Sequence, residues 1–404
     1  QSFREFLGNV IHYFKNYSLE NMQSIPYIDR DRCVISKKND LESLHSLNNF
    51  PIFIGCTNEP ASEDLFANMN FSISKSSGVI QLKNLLPLEL VYQGYHSEAI
   101  GGVWSDHHNA FVDFLISNIK VGGIIEMGGS SGVMAEKALA INPDLSWTIV
   151  EPNLKPSYVP STKNIKLIDS LIENAVNDHH DFSNFIHSHV LEHLYNPLDV
   201  LEVVSQKQKD GDRSIFSIPD LYYYLDNNFV NTLNFEHTFF LTEEISDYLI
   251  QLHGYSLIEK IKFKNHSIFY CIEKNSKISK PELSSNLYYQ YKEMYLNMVD
   301  FYNNDLANIQ NEIEQHAGEV YLFGAHVFSQ YLLNIGLDEL LISGILDNSK
   351  EKEGKRLYGS NLTVFNPTII QGTNNYLIIV KAGAYQDEVE LQLKSLNPNI
   401  KIVR

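Results

Sequence analysis

Cysteine is scarce in this chain. Among 404 residues there are three, Cys33, Cys56 and Cys271, too few and too scattered for a disulfide framework or a four-thiolate zinc site. A reducing, cytoplasmic setting is expected. Long hydrophobic runs are missing too, since no apolar stretch reaches the roughly 20 residues that a membrane-spanning helix needs. Positive charge is in deficit: 31 Lys and Arg against 49 Asp and Glu leave a formal net charge of −18. Such a surface repels phosphate backbones and anionic lipids, so neither nucleic acid nor a membrane is an expected partner. Low-complexity tracts and repeats at solenoid spacing are absent as well. The chain opens Gln1-Ser2-Phe3-Arg4, without an initiator Met or the basic-then-apolar layout of a secretory leader. It reads as a processed chain or a piece of a longer one.

What is present is ordinary globular material, 44% hydrophobic and 20% charged, with 23 Tyr and 22 Phe to fill several cores. The length predicts two or three domains. Residues 1–115 are mixed and irregular and are expected to form an N-terminal, substrate-side domain. Residues 116–275 alternate short apolar runs with amphipathic helices, the α/β signature. Residues 276–317 contain a long helix with an apolar stripe at Leu287, Tyr291, Met294, Met298, Tyr302, Leu306, Ile309 and Ile313, expected to pack as a linker. Residues 318–404 return to the strand–helix alternation. Within the middle region, Tyr255 to Phe263 and Ile268 to Glu273 are separated by a link so short that the two strands must pair antiparallel.

Three motifs carry chemistry. Glu126-Met127-Gly128-Gly129-Ser130-Ser131-Gly132 follows a strand and opens a helix. Glycine there lets a cofactor approach the backbone, and the helix start offers free N–H donors. The pattern is E-x-G-x-x-x-G rather than the dinucleotide G-x-G-x-x-G, and an acid ahead of the first glycine suits a cationic amino-acid group better than a phosphate. Glu151 ends the next strand, 19 residues after Gly132 (151 − 132), where Rossmann-type sites hold a ribose diol. Glu236-His237, between the fifth strand and the following helix, offers a carboxylate and an imidazole that titrates near neutral pH.

A fourth stretch, Ser188-His189-Val190-Leu191-Glu192-His193-Leu194-Tyr195-Asn196-Pro197, resembles a segment that borders the cofactor pocket of class I methyltransferases. Gly78-Val79-Ile80-Gln81-Leu82, Tyr95-His96-Ser97, Glu236-His237 with Phe240-Leu241, Tyr321 to Ala325, Leu346-Asp347-Asn348-Ser349 and Lys355 to Gly359 extend the likeness. Together they resemble the deoxysugar C-methyltransferases, three-domain enzymes that act on nucleotide-linked 4-keto sugars. The resemblance implies an α/β class I methyltransferase core flanked by an irregular N-terminal domain and a C-terminal Rossmann-like domain.

It implies S-adenosylmethionine (SAM) as cofactor, held by Glu126, Gly128, Gly132, Glu151 and His189. It further implies a carbohydrate acceptor and C-methylation through an enolate. His237 would be the base, tuned by Glu236, and Tyr95 the donor to the enolate oxygen. The alternatives are O- or N-methylation of a polysaccharide precursor or phosphorylated metabolite, and a SAM-binding scaffold without turnover. The family's zinc-binding Cys pairs are degenerate here: Ser74 and Ser77 stand where the second pair is expected. Serine is a poor zinc ligand, so no metal is expected. Asn234 and Phe235 replace a Tyr and a His ahead of the Glu, and Gln93 replaces the first Tyr of the Tyr95 segment.

Overall fold

A computed structural model of the chain describes residues 25–91, 102–152, 158–178 and 182–404. Three strands come first: β1 (Leu41–Pro51), β2 (Phe66–Ser74) and β3 (Ile80–Leu82) form an antiparallel sheet. Helix α1 (Gly102–Asn118) then leads into a seven-stranded sheet. Its strands are β4 (Ile124–Met127), β5 (Trp147–Val150), β6 (Ile165–Ile168), β7 (Asn184–Ser188), β8 (Arg213–Pro219), β9 (Tyr255–Phe263) and β10 (Ser267–Lys274). Their order is β9-β10-β8-β7-β4-β5-β6, with β10 antiparallel to both neighbours. The order reverses between β4 and β7, so the carboxyl ends of those strands border the crevice where open α/β sheets bind ligands.

Alternation along each strand divides the sheet's two faces. On β4, Ile124 packs with Phe111, Leu115, Trp147 and Phe269 under α1, whereas Ile125 and Met127 pack with Ile172, Val176 and Val200 on the opposite face. Between the strands lie α2 (Val133–Ile141), α3 (Ile172–Asp178), α4 (Pro197–Lys207), α5 (Leu221–Asp226) and α6 (Glu243–Leu252). Thr242 caps α6 by accepting from the Ile245 N–H, and Gly254, at φ +75°, ends it, as a left-handed terminator does.

Helix α7 (Leu287–Glu314) buries Leu287, Tyr291, Tyr295, Met298, Tyr302, Ile309 and Ile313, so the expected stripe is the buried one. Strands β11 (Val320–Phe323), β12 (Gly344–Leu346), β13 (Val364–Phe365), β14 (Leu377–Val380) and β15 (Lys401–Val403) make an all-parallel sheet in the order β13-β12-β11-β14-β15. Helix α8 (Val327–Asn334) follows β11, and α9 (Gln386–Leu396) follows β14. The fold class is α/β, with a class I methyltransferase sheet and a second, Rossmann-like parallel sheet. No helix among the described residues is long and apolar enough to cross a membrane.

Candidate active site

Strand register brings the expected cofactor residues to one edge. Glu126 pairs with Ile149 of β5 and Ile186 of β7, so the turn after Met127, Glu151 beyond Val150 and Ser188-His189 beyond His187 emerge side by side. The Gly128 N–H donates to the Val150 carbonyl at 3.0 Å. Gly128, at φ +78°, has no room for a Cβ, which would lie 2.5 Å from Val190 Cγ2. At Gly132, φ +70°, a Cβ would strike the Tyr158 ring at 2.1 Å. Both are left-handed positions that favour glycine.

Glu126 is fully buried. Trp147 Nε1 donates to its Oε2 at 2.7 Å, and Oε1 has no hydrogen-bond partner. Burial pushes this carboxyl up to about 7; the Trp147 bond lowers it and nearby Glu151 raises it. A carboxylate with an open oxygen beside a glycine turn fits the ammonium of an amino-acid cofactor, which supplies the missing donor and charge. His189 adopts φ +52°, uncommon for a side chain of this bulk. Its Nε2 lies 2.9 Å from Ser267 Oγ and its Nδ1 3.5 Å from Glu192 Oε1.

Glu236-His237 sits in the loop between α5 and α6. The Asn234 side chain organises it: its Oδ1 accepts from the backbone N–H groups of both Glu236 and His237 at 2.9 Å. The residue found in place of the family's tyrosine is therefore spent on the loop's own backbone. On the far side the loop becomes a strand partner of β3: Leu82 N–H donates to the Thr238 carbonyl at 3.0 Å and Phe240 N–H to the Ile80 carbonyl at 2.8 Å. Half-buried Arg30 completes the clasp, donating to the carbonyls of Thr238 (2.8 Å) and Tyr195 (2.7 Å).

The carboxylate nearest His237 in this network includes one the sequence did not single out. One ligand atom from each of Glu192, His193 and His237 lies within 4.8 Å of the other two, and the His193 and His237 rings meet edge-to-face at 4.7 Å. Glu192 is buried, and its carboxyl is pushed up to about 7 by burial, with His237 pulling it down. Burial lowers the His237 imidazole, and the carboxylates of Glu192 and then Glu236 raise it. Glu236 acts also on His326, at the start of α8, whose imidazole burial and Lys352 hold near 4 against the opposing pull of Asp347 and Glu236. Asp347, where a nucleotide-binding lobe would meet a ribose, is occupied internally: it accepts from Ala325 N–H (2.9 Å), Ser349 N–H (2.9 Å) and Lys352 (2.9 Å).

In the N-terminal part, two turns of equal spacing, Cys33–Ser36 and Ser74–Ser77, face each other. Cys33 Sγ lies 3.2 Å from Ser77 Oγ and accepts from the Ser36 N–H at 3.3 Å, while Ser74 donates to Asp40 at 2.9 Å. One thiol and three hydroxyls do not fit a zinc cage. Cys56 lies elsewhere, in a short strand pairing Cys56 with Leu357. Of these positions the sequence pointed to Ser74 and Ser77; the Cys33–Ser36 turn opposite them emerges from the fold. Tyr95 lies outside the described residues. Glu192 was readable only as part of the V-L-E-H stretch, since nothing in the sequence marks it as buried beside His237. His107 and His266, near His189, have no spacing that links them.

Residues 254–400 match the family described as "C-methyltransferase C-terminal domain". No curated protein matches the chain. Among solved structures, human N-acetylserotonin methyltransferase in complex with SAM is 15% identical, over 43% of this chain and 53% of that one, at a TM-score of 0.37. The chain therefore spans about half the length of that enzyme. The N-methyltransferase NodS from Bradyrhizobium japonicum WM9 is 12% identical over 43% and 97%, TM-score 0.33. A SAM-dependent methyltransferase from Mesorhizobium loti is 10% identical over 43% and 100%, TM-score 0.36. The family match begins at the helix-ending Gly254 and spans the antiparallel strand pair, α7 and all but the last strand of the C-terminal sheet, while the glycine turn and the His237 loop lie ahead of it.

Proposed function

We propose that the protein is a SAM-dependent methyltransferase that alkylates a carbon atom of a carbohydrate, a nucleotide-linked keto sugar, with His237 as the base. The observation that carries the reading is the placement of His237 beside buried Glu192 and next to Glu236, in the loop after β8, two strands from the glycine turn. Bound SAM would supply an electrophilic methyl group to the enolate carbon, the S–CH3 bond pair leaving with S-adenosylhomocysteine. His237 accepts the proton from the carbon beside the ketone, and the C–H electron pair moves onto the ketone oxygen as an enolate. Glu192 and Glu236 stabilise the imidazolium that results. Tyr95 donates to the enolate oxygen, the task of an oxyanion-stabilising donor. Glu126 binds the cofactor's ammonium and Glu151 its ribose hydroxyls, while Gly128, Gly132 and His189 line the pocket. The C-terminal sheet closes over the nucleotide, with His326 nearest the chemistry.

Residues 1–115 belong to the acceptor side, 116–275 to the cofactor side and 318–404 to the closing lobe, joined through 276–317. The enzyme works in the cytoplasm, in polysaccharide precursor synthesis. Proton abstraction can be tested apart from methyl transfer. In D2O, with a keto sugar nucleotide and S-adenosylhomocysteine, the proton beside the ketone is expected to exchange. Exchange should fall by about 10²–10⁴-fold in His237→Ala, the usual worth of a general base, with cofactor binding intact. Exchange undiminished in that variant contradicts the role.

A further inference from the structure

Three imidazoles from distant parts of the chain converge at the carboxyl edge of the seven-stranded sheet. His107 comes from α1, His189 from the left-handed turn after β7, and His266 from the tight turn between β9 and β10. One ring nitrogen of each lies within 4.8 Å of the other two. The ring centroids are 5.2, 5.6 and 5.7 Å apart. With metal–nitrogen bonds of about 2.0–2.1 Å, imidazoles around a tetrahedral ion have centroids about 5–5.5 Å from one another. The trio is within a few tenths of an ångström of that arrangement.

Two further observations point to a ligand. His107 is fully buried, yet neither of its ring nitrogens has a hydrogen-bond partner. Buried polar atoms are nearly always satisfied, and outside the histidines its ring packs against Trp104, Phe111, Phe263 and Phe269, neighbours that offer an imidazole no hydrogen bond here. Second, His189 has Glu192 Oε1 at 3.5 Å behind Nδ1 while Nε2 faces the cluster through Ser267 Oγ at 2.9 Å. At 3.5 Å this carboxylate is beyond hydrogen-bond contact, its oxygens having no hydrogen-bond partner, but it stands on the side where a metal-bound imidazole takes its outer-shell acceptor. The same Ser267 hydroxyl lies 2.6 Å from His266 Nδ1.

We infer that His107, His189 and His266 form a binding site for a first-row divalent transition metal ion, zinc being the best match, with an oxygen donor on the Ser267 side completing four-coordination. Three imidazoles select such borderline ions and not Mg²⁺ or Ca²⁺, which prefer oxygen. The trio shares no ligand with the Glu192/His193/His237 cluster, which it borders through Glu192, and it is independent of which atom the enzyme methylates.

The test uses the full chain, stripped with chelator and titrated with Co²⁺, whose visible absorption reports coordination. One equivalent is expected to bind with the bands of a four-coordinate, nitrogen-rich site and without thiolate charge transfer. His107→Ala and His266→Ala should each weaken binding by about 100-fold or more, beyond what loss of an outer-shell group costs, while His237→Ala leaves it unchanged. SAM binding by each variant checks that it folds, and the wild-type spectrum stands as a test without any variant. Absence of stoichiometric binding, an oxygen-rich six-coordinate or thiolate spectrum, or loss only in His237→Ala overturns the assignment.

Discussion

A carboxylate sealed inside a protein needs a partner, and Glu126 has one oxygen bonded to Trp147 and the other open. Its folded-state value near 7 lies above the ordinary 4.5, and Glu192 behaves alike. The sign follows from linkage. Between those values the folded cofactor-free protein holds protons that the unfolded chain has released, so its stability falls as pH rises from about 4.5 to about 7. Glu126→Gln should flatten that part of a Tm-against-pH curve; an unchanged slope contradicts the burial argument. The same ionisation favours a cationic ligand, so SAM affinity measured by calorimetry is expected to rise with pH up to about 7, and Glu126→Gln to abolish the rise. Glu192 makes a separate prediction. Removing its charge in Glu192→Gln leaves burial to lower His237, so the acid limb of the kcat/KM profile moves to lower pH and the maximal rate falls. Of these residues the motif exposed Glu126, because an acid before a glycine turn is a sequence pattern. Glu192 and the histidine trio arise from contacts between segments far apart in the chain, and no periodicity carries that.

At the level of elements, strands and helices of the seven-stranded sheet were legible, since runs such as Trp147–Val150 and Ile165–Ile168 are short, apolar and bounded by turns. The irregular-looking N-terminal stretch was harder. Its long strand, Leu41–Pro51, is interrupted by bulges and carries polar residues on its exposed positions, so the two-residue alternation is broken. Helix Gly102–Asn118 also runs through position 115 and packs on the central sheet, because its apolar residues Phe111, Phe114 and Leu115 find their partners there. The loop that bears His237 owes its shape to three elements: Asn234 beneath it, β3 beside it and Arg30 across it. Hydrogen bonds to a charged group are worth about 1.5–3 kcal/mol. Arg30→Ala is therefore expected to lower stability by about that amount in denaturant titration and to reduce kcat, since the loop loses its clasp. Unaltered stability would falsify the clasp.

At the scale of the whole molecule, one apolar core runs through Phe71 of the N-terminal sheet, Leu233 and Phe239 of the His237 loop, Tyr295 and Tyr302 of α7, and Leu322 and Tyr331 of the C-terminal sheet. Asp64 and Arg356 join the first and last parts through paired bonds of 2.6 and 2.7 Å. These parts share their core and should unfold together, so circular dichroism and tyrosine fluorescence are expected to trace one coincident transition; well-separated transitions contradict a shared core. Such a core also ties the His237 loop to the N- and C-terminal sheets, the fixed relation that the proposed in-line methyl transfer requires. The central claim is methylation at carbon. Its most direct measurement is NMR of the product formed from methyl-labelled SAM and nucleotide sugars with and without a keto group. The account predicts a labelled methyl bonded to carbon, formed from the keto sugars alone, and a label found on oxygen or nitrogen would contradict it.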